Sequence, residues 1–305
     1  MINRIISTLK AVWVLPAIIC FPFFVKAQSS PKIKIACIGN SITAGWHMLQ
    51  NPATDTYPAH LQHMLGDKYE VFNFGVSGAT ALRKGDNPYM KTAAFRKAMT
   101  SGSDIVLIKL GTNDSRAVNR FLIPEYLEQD YGALIDSFKT LRPAPRIILL
   151  LPVPSYLKDT IKHSDKVIIQ QIIPVVQQLA YEKKCEVLDL HSWLTDQQNL
   201  FPDSLHPDVK GMRLIAERVY ETIVQPGVSF DIFKNMKEAK QLSSFHGYEC
   251  ADFTFNGRAC KIVKPKIVNP GKQWIWRARF WGHEPQTDIA LLERGFHVAY
   301  CDVAE

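Results

Sequence analysis

Residues 33–45 read IKIACIGNSITAG, an apolar run that stops at Gly39 and is followed two residues later by the hydroxyl of Ser41. The run predicts a strand buried on both faces, because Lys34 alone interrupts its apolar side chains. A small hydroxyl beside a glycine at the end of such a strand fits a turn or a helix cap. It also fits a nucleophile held at the edge of a sheet. Residues elsewhere in the chain help to decide between a structural and a catalytic role for Ser41.

Apolar strands alternate with helical patterns from about Pro31 to about Pro226. The predicted strands cover 33–38, 70–74, 104–110, 146–151 and 185–190, and the predicted helices lie near 57–65, 89–99, 124–141, 164–183 and 207–224. Pro174 lies inside the fourth helix and should kink it or mark a restart, because proline lacks the N–H that a helix needs. This alternation indicates an α/β fold with a parallel sheet covered on both faces. Ligands of such sheets bind at the carboxyl ends of the strands.

Short polar stretches follow three of the predicted strands, and a fourth precedes the last helix. They read GNS at 39–41, GVSGAT at 75–80, GTND at 111–114 and DSLHP at 203–207. Because the carboxyl ends of parallel strands meet at one edge of the sheet, we expect all four stretches to lie along the same rim. The rim is therefore the predicted place for chemistry.

The residue types in these stretches are those that acyl transfer requires. Ser41 supplies a hydroxyl that becomes a nucleophile when a base such as His206 removes its proton, and Asp203 can orient that base. The side chain of Asn113 and the backbone N–H of Gly78 are suitable donors to a tetrahedral oxyanion. Each residue alone is more typical of a cap or a turn, but their conjunction in this order favours catalysis.

These blocks resemble the SGNH hydrolases, also called the GDSL family of esterases and lipases. The residues that match the family's serine, glycine, asparagine, histidine and triad aspartate are Ser41, Gly78, Asn113, His206 and Asp203. The resemblance covers about residues 32–224. It implies a flavodoxin-like three-layer α/β/α sandwich with a five-stranded parallel sheet, and ester hydrolysis that uses neither a metal nor another cofactor.

The resemblance also bears on the first block itself. It implies that the backbone N–H of Ser41 is a further oxyanion donor. The family's first block usually reads Gly-Asp-Ser, and here Asn40 occupies the position of that aspartate. Because the aspartate is not the triad acid and an amide can keep similar turn hydrogen bonds, we expect a minor effect.

The N-terminus has the pattern of a secretory signal peptide over residues 1–27. Arg4 and Lys10 precede an apolar run at 11–25, and Ala27 ends a stretch that a signal peptidase can cut. An uncleaved membrane anchor is the alternative, but the run is shorter than the ~20 residues that span a bilayer. We therefore predict a secreted or periplasmic protein without stable membrane insertion after cleavage.

The charge pattern gives no indication of a nucleic-acid partner. Removing residues 1–27 lowers the formal net charge from +7 to +4, because three cations and no acid are lost. The remaining cations are scattered rather than clustered, so no basic patch is predicted. The expected partner is a small-molecule or polysaccharide ester.

The pattern changes over residues 228–305, after the esterase-like domain predicted at 28–227. Asn256-Gly257 predicts a hairpin over 249–263, followed by a strand at 273–280, a helix at 287–294 and a strand at 296–303. From about residue 247 the chain resembles the opening strands of an α/β-hydrolase domain, without a Gly-x-Ser-x-Gly motif or a later histidine for a triad. Either this part is the truncated start of a second domain, which we favour and which predicts exposed sheet edges, or its strands pack on the first domain.

These observations predict an exported serine esterase, and we favour O-acetylated carbohydrate as its substrate. A lysophospholipase-like or thioesterase-like activity on lipid or acyl substrates is an alternative, and a non-catalytic carbohydrate-binding module is another of a different class. The aromatic residues that could line a sugar cleft are Trp46, Tyr57, Trp193 and Phe201, although core packing is the favoured interpretation of each. Cys250 and Cys260 flank the predicted hairpin and could pair, which the sequence does not require.

Overall fold

The alternating apolar strands assemble into a parallel sheet. The computed structural model of the protein describes residues 31–46, 50–158 and 162–303, so the predicted signal peptide lies outside the described residues. The strands of the first sheet are β1 (Ile33–Gly39), β2 (Tyr69–Gly75), β3 (Ile105–Lys109), β4 (Arg146–Leu150) and β5 (Glu186–Leu188). They are all parallel and lie in the order β2-β1-β3-β4-β5, so the strand order reverses next to β1. Such a switch point is where the carboxyl ends of strands leave a crevice.

Helices cover both faces of this sheet. In chain order, the α-helices of the described residues are α1 (Ser41–Ala44), α2 (Pro52–Asp55), α3 (Tyr57–Leu65), α4 (Ala93–Met99), α5 (Ala117–Arg120), α6 (Ile123–Lys139), α7 (Asp165–Val167), α8 (Ile173–Glu182), α9 (Leu190–Leu194), α10 (Val209–Val224), α11 (Ile232–Asn235) and α12 (Gln286–Glu293), and the last two belong to the segment of the second sheet. In β1, Ile38 packs into one buried cluster with Tyr131 of α6, and Cys37 packs into another with Leu61 of α3 and Ile215 of α10. Successive strand residues face opposite sides, so the result is the predicted three-layer α/β/α sandwich.

The helix predicted over 164–183 is interrupted as Pro174 requires. Residues 168–172 form a π-helical turn between α7 and α8, and Pro174 is the second residue of α8. Proline lacks an N–H and its ring crowds the preceding turn, so the backbone widens there instead of continuing a regular helix. The prediction of a kink or restart at Pro174 is confirmed.

No helix in the described ranges is both long enough and apolar enough to cross a bilayer.

A second, mostly antiparallel sheet follows. Its strands are β6 (Lys240–Phe245), β7 (Tyr248–Phe255), β8 (Arg258–Lys264), β9 (Trp274–Arg277) and β10 (His297–Cys301), in the order β6-β7-β8-β10-β9. The predicted hairpin is confirmed: Asn256 and Gly257 join β7 to β8 with φ angles of 49° and 77°, the pair of positive values that a type I′ turn needs. β9 pairs with β10 in parallel, and α12 connects the two strands.

This second sheet packs on the esterase-like part of the chain, and the described residues from Lys32 onward belong to one compact unit. The hydroxyl of buried Tyr248 donates to the carbonyl of Val187, and Glu293 accepts the backbone N–H of Asp189 at 2.6 Å. These contacts cover the β5 edge of the parallel sheet, which would otherwise expose unpaired backbone groups. At the other end, β9 is an edge strand of the described sheet, with Trp274 64% exposed.

The cysteines of the described chain are free thiols. Cys250 and Cys260 lie on neighbouring strands but at different rungs, because Cys250 stands opposite Val263 and Cys260 opposite Phe253. The register of β7 and β8 therefore decides whether Cys250 and Cys260 pair: the two residues do not face each other in the structure.

Candidate active site

Ser41 lies at the first position of α1, directly after the central strand β1. Asn40 caps this short helix, because its side-chain oxygen accepts the backbone N–H of Ile42 at 3.1 Å. Ser41 is 8% exposed and therefore lies at the surface of the core rather than inside it. In the part of the chain that the structure describes, its own backbone N–H has no protein acceptor. A helix N-terminus leaves such donors unsatisfied.

The position of α1 depends on a glycine in the neighbouring strand. A Cβ atom on Gly75, at the end of β2, would lie 2.3 Å from the backbone nitrogen of Ala44. Only glycine lets α1 approach the strand end this closely. The same region is joined to β1, since the backbone N–H of Val76 donates to the carbonyl of Gly39 at 2.9 Å. These contacts hold the GVSGAT stretch at 75–80 beside the GNS stretch at 39–41.

The structure brings Ser41, His206 and Asp203 into one hydrogen-bonded chain. Ser41 Oγ lies 2.8 Å from His206 Nε2, and His206 Nδ1 lies 2.6 Å from Asp203 Oδ2. A carboxylate only accepts, so Nδ1 carries the ring proton and Nε2 is left to accept the Ser41 hydroxyl. This tautomer is the one in which imidazole can act as a general base toward serine.

Asp203 is also fixed by the backbone that follows it. Its Oδ1 atom accepts the N–H of Leu205 at 3.0 Å and that of His206 at 2.6 Å. Partial burial favours the neutral carboxyl, but the hydrogen bonds from the backbone and ring of His206 and from Leu205 outweigh it and lower the pKa of Asp203. The carboxylate therefore stays ionised beside the imidazole.

Gly78 and Asn113 are held together at the same rim. Gly78 is the third residue of the turn closed by the Ala79 N–H on the Val76 carbonyl, and its φ of 78° is left-handed. Such a turn strongly favours glycine at that position. The side-chain nitrogen of Asn113 donates to the carbonyl of Ala79 at 3.0 Å, which places the amide beside the turn. Among the described residues, the N–H of Gly78 has no protein acceptor.

Asp114 supports this part of the site, a role that its sequence context as a turn residue did not indicate. It is fully buried, and its two oxygens accept the N–H groups of Ala81 at 3.1 Å and Leu82 at 2.9 Å. Burial raises the pKa of Asp114 to about 6, even though the backbone hydrogen bonds favour its ionised form. Asp114 is the neighbour of Asn113 in the chain. Its hydrogen bonds therefore hold the segment that follows Gly78 close to Asn113.

His163 is a further residue at this rim, and it belongs to none of the predicted site blocks. Its Nε2 atom lies 3.1 Å from the side-chain oxygen of Asn113. It stands in the connection between β4 and α7, outside the four polar blocks, so no local pattern marks it. The described residues include no cluster of three or more His, Cys, Asp or Glu side chains arranged to hold a metal ion.

The four candidate aromatic residues fall into two groups. Tyr57 and Phe201 are buried in the core, as the favoured interpretation expected, whereas Trp46 and Trp193 are 44% and 45% exposed. Trp46 follows Gly45, the C-cap of α1, and its backbone N–H donates to the carbonyl of Ser41 at 3.0 Å. An exposed indole therefore lies within a few residues of the candidate nucleophile.

A parallel α/β sandwich with a Ser-His-Asp chain at the carboxyl ends of its strands defines a serine-hydrolase type of site. Residues 37–214 match the model of the GDSL-like Lipase/Acylhydrolase family, and the chain belongs to that family. The match spans the serine block, the glycine block and the asparagine block, and it extends through the histidine block. Family and fold together place the chain among the ester hydrolases.

Individual relatives agree with this family. An acetylxylan esterase of Xylanibacter ruminicola is 38% identical over 224 residues, which are 66% of this chain and 45% of that protein. The chain thus spans less than half the length of this relative. Among solved structures, the carbohydrate acetylesterase Est24 from Sinorhizobium meliloti has a TM-score of 0.52 at 18% identity, covering 63% of this chain and 98% of its own. The aryl esterase of M. smegmatis has a TM-score of 0.52 at 19% identity, with the same coverage of both chains. At these identities the solved structures establish the fold alone.

Proposed function

We propose that this chain is a serine esterase that removes acetyl groups from O-acetylated carbohydrate through an acyl-enzyme intermediate. The observation that carries the proposal is the hydrogen-bonded chain from Ser41 Oγ through His206 to Asp203. It joins a nucleophile, a base and an orienting carboxylate without rearrangement. A carbohydrate-binding module without turnover would have no use for this geometry.

In the first half-reaction, Ser41 Oγ attacks the ester carbonyl carbon while its proton passes to His206 Nε2. The negative oxygen of the tetrahedral intermediate accepts hydrogen bonds from the N–H groups of Ser41 and Gly78 and from Asn113 Nδ2. When the intermediate collapses, the bond to the alcohol oxygen breaks and His206 returns the proton to the leaving alcohol. The acyl group then remains as an ester on Ser41.

In the second half-reaction, water attacks this ester and gives a proton to His206. The acyl–Oγ bond breaks, the carboxylic acid leaves, and His206 returns the proton to Ser41. Asp203 stays ionised throughout and stabilises the imidazolium, consistent with its lowered pKa. No cofactor is required for any of these steps.

The choice of an acetylated carbohydrate is supported by two observations of different kinds. The relative from Xylanibacter ruminicola is named an acetylxylan esterase, and the two chains share 38% identity over the aligned residues. In this chain, the exposed indole of Trp46 offers an aromatic face within a few residues of Ser41, and such faces pack well against sugar rings. Esters of long acyl chains are the alternative substrates, and rates on esters of increasing acyl length distinguish the two.

The location and domain organisation belong to the same proposal. We propose that residues 1–27 direct export to the periplasm or the exterior, where acetylated polysaccharide is accessible. We also propose residues 28–227 as the esterase domain. The segment after it is proposed to be related to the opening of an α/β-hydrolase, for which the order β7-β8-β10-β9 with its parallel β9-α12-β10 crossover gives support.

The first experiment is labelling with a fluorophosphonate, which reacts with activated serine hydroxyls. The wild type should be labelled and the variant Ser41→Ala should not. Ser137→Ala is a matched control, because that hydroxyl lies on α6 and donates only to the carbonyl of Ala133. An unlabelled wild type, or labelling that survives in Ser41→Ala, would contradict the proposed nucleophile.

The second experiment defines the substrate. Initial rates are measured on acetylated xylo-oligosaccharides and on p-nitrophenyl esters of increasing acyl length, with Ser41→Ala as the blank. We expect acetyl esters to be preferred and the rates to fall as the acyl chain lengthens. A preference for long acyl chains would overturn the carbohydrate assignment while leaving the esterase mechanism in place.

A further inference from the structure

His163 contacts the residue proposed as the side-chain oxyanion donor, not the nucleophile or the base. Its Nε2 atom lies 3.1 Å from Asn113 Oδ1. An amide oxygen can only accept, so Nε2 carries the proton of the neutral imidazole. The other ring nitrogen, Nδ1, is buried and has no partner among the described residues. His163 is therefore oriented as a donor to Asn113.

The amide of Asn113 is held at both of its ends. Asn113 Nδ2 donates one hydrogen to the carbonyl of Ala79 at 3.0 Å, and Oδ1 accepts from His163. One contact would leave the amide plane free to turn about that point, whereas two contacts at opposite ends fix the plane. The second Nδ2 hydrogen then keeps one fixed direction and is available to a ligand. Preorganised donors of this kind stabilise a developing oxyanion more than mobile ones.

We propose that His163 is a positioning residue that holds the Asn113 amide so that its remaining N–H faces the oxyanion of the substrate. The proposal rests on the esterase function proposed above. It gives a role to a partly buried imidazole that lies near the triad but is separate from it. It also explains why Asn113 has a fixed orientation in a rim built largely from turns.

The surroundings of His163 keep its ring neutral. Burial lowers its pKa to about 4, and the nearby charges of Arg116 and His206 act in the same direction. The carboxylates of Asp203 and Asp86 act in the opposite direction without reversing the shift. A neutral His163 does not repel the imidazolium that forms on His206 during turnover. The nitrogen of His163 that could accept a proton, Nδ1, is buried without a partner among the described residues, so the ring does not compete with His206 as the general base.

The test uses substitutions that differ in reach and hydrogen bonding. Glutamine can place an amide N–H near the position of histidine Nε2, whereas asparagine carries the same group but is too short to reach Asn113. His163→Leu removes the donor at a similar volume. We expect His163→Asn and His163→Leu to lower kcat about 10- to 100-fold with little change in KM, and His163→Gln to recover most of it. Thermal unfolding of each variant is measured in parallel.

A double-mutant cycle separates positioning from general structural damage. Asn113→Ala removes the donor that His163 orients, so His163→Leu should have no further effect on kcat in that background. Equal rates for the glutamine and asparagine variants, a wild-type kcat in His163→Leu, or effects that multiply with Asn113→Ala would each overturn the positioning role. These outcomes are distinct from a failure of the proposed function, in which the wild type itself would show no turnover and no fluorophosphonate labelling.

Discussion

Ser41 Oγ and His206 Nε2 lie 2.8 Å apart, although 165 positions separate the two residues in the chain. The first residue follows the central strand and the second precedes the last helix of the parallel domain, so folding alone creates the contact. Asp203 completes the chain at 2.6 Å from the other ring nitrogen. The distances are already those required for proton transfer, and they make the role of each member testable.

Asp203→Asn should lower kcat by about 10³–10⁴ while leaving the protein folded. The asparagine oxygen can still accept the backbone N–H groups of Leu205 and His206, but the amide nitrogen would face Nδ1 and favour the wrong tautomer. The measurement is steady-state kinetics on an acetyl ester. Asp208→Asn is the matched control, because Asp208 caps α10 and asparagine caps helices equally well. A variant Asp203→Asn with the activity of Asp208→Asn would contradict the triad assignment.

Asn40 should act mainly through its cap on α1. Asn40→Ala removes the acceptor for the Ile42 N–H and should lower the free energy of unfolding by about 1 kcal/mol. It should also reduce kcat, because Ser41 is the first residue of the helix that loses its cap. Asn40→Asp keeps an acceptor at the same place, so its kcat should stay within about threefold of the wild type. Chemical denaturation and kinetics check both, and an alanine variant indistinguishable from wild type would refute the capping role.

Asp114 should make stability depend on pH in an identifiable direction. Its pKa is raised from 3.8 to about 6 in the folded protein, so between these values the folded state binds more protons than the unfolded state. The stabilising contribution of the protonated group is therefore complete below about pH 4 and is lost as the pH rises past about 6. The difference in unfolding free energy between wild type and Asp114→Asn should shrink over this interval.

Asp114→Asn should also cost about 1–3 kcal/mol at low pH, because the amide nitrogen cannot accept a backbone N–H, whereas the hydroxyl oxygen of the protonated carboxyl still can. Urea denaturation from pH 4 to pH 7 measures both effects. Asp136→Asn, on the exposed part of α6, is the control. A pH dependence of the difference equal to that of the control would show that Asp114 does not titrate as stated.

The buried ion pair between Arg218 of α10 and Glu293 of α12 should anchor the second sheet to the esterase part. The two side chains are 3% and 4% exposed, and burial raises the pKa of Glu293 to about 7. Glu293→Gln leaves the guanidinium without its buried partner and should reduce the free energy of unfolding by about 3 kcal/mol. Glu217→Gln breaks an exposed pair on the same helix and should cost less than about 0.5 kcal/mol. Equal effects of the two variants in urea denaturation would argue against anchoring.

Local patterns predicted the regular elements well. The apolar run that ends at Gly39 forms a strand, Pro174 interrupts its helix, and Asn256-Gly257 forms the turn of a hairpin. In each case the information lies within a few neighbouring residues, as periodicity, a missing N–H or a positive φ. The packing of residues 240–301 was less predictable, since a strand that covers another strand's edge carries no local mark of its partner.

The candidate site divides in the same way. Ser41, Gly78, Asn113, Asp203 and His206 stand in short blocks with recognisable spacing, and the sequence by itself determined that these residue types would gather at one rim of an α/β sheet. The sequence did not indicate His163 beside Asn113, Asp114 beneath the glycine turn, or Glu293 against Arg218. These contacts join residues between 32 and 75 positions apart, and only the tertiary structure decided them. The physical reason is that hydrogen bonding and burial depend on distance in space, whereas a motif records only distance along the chain.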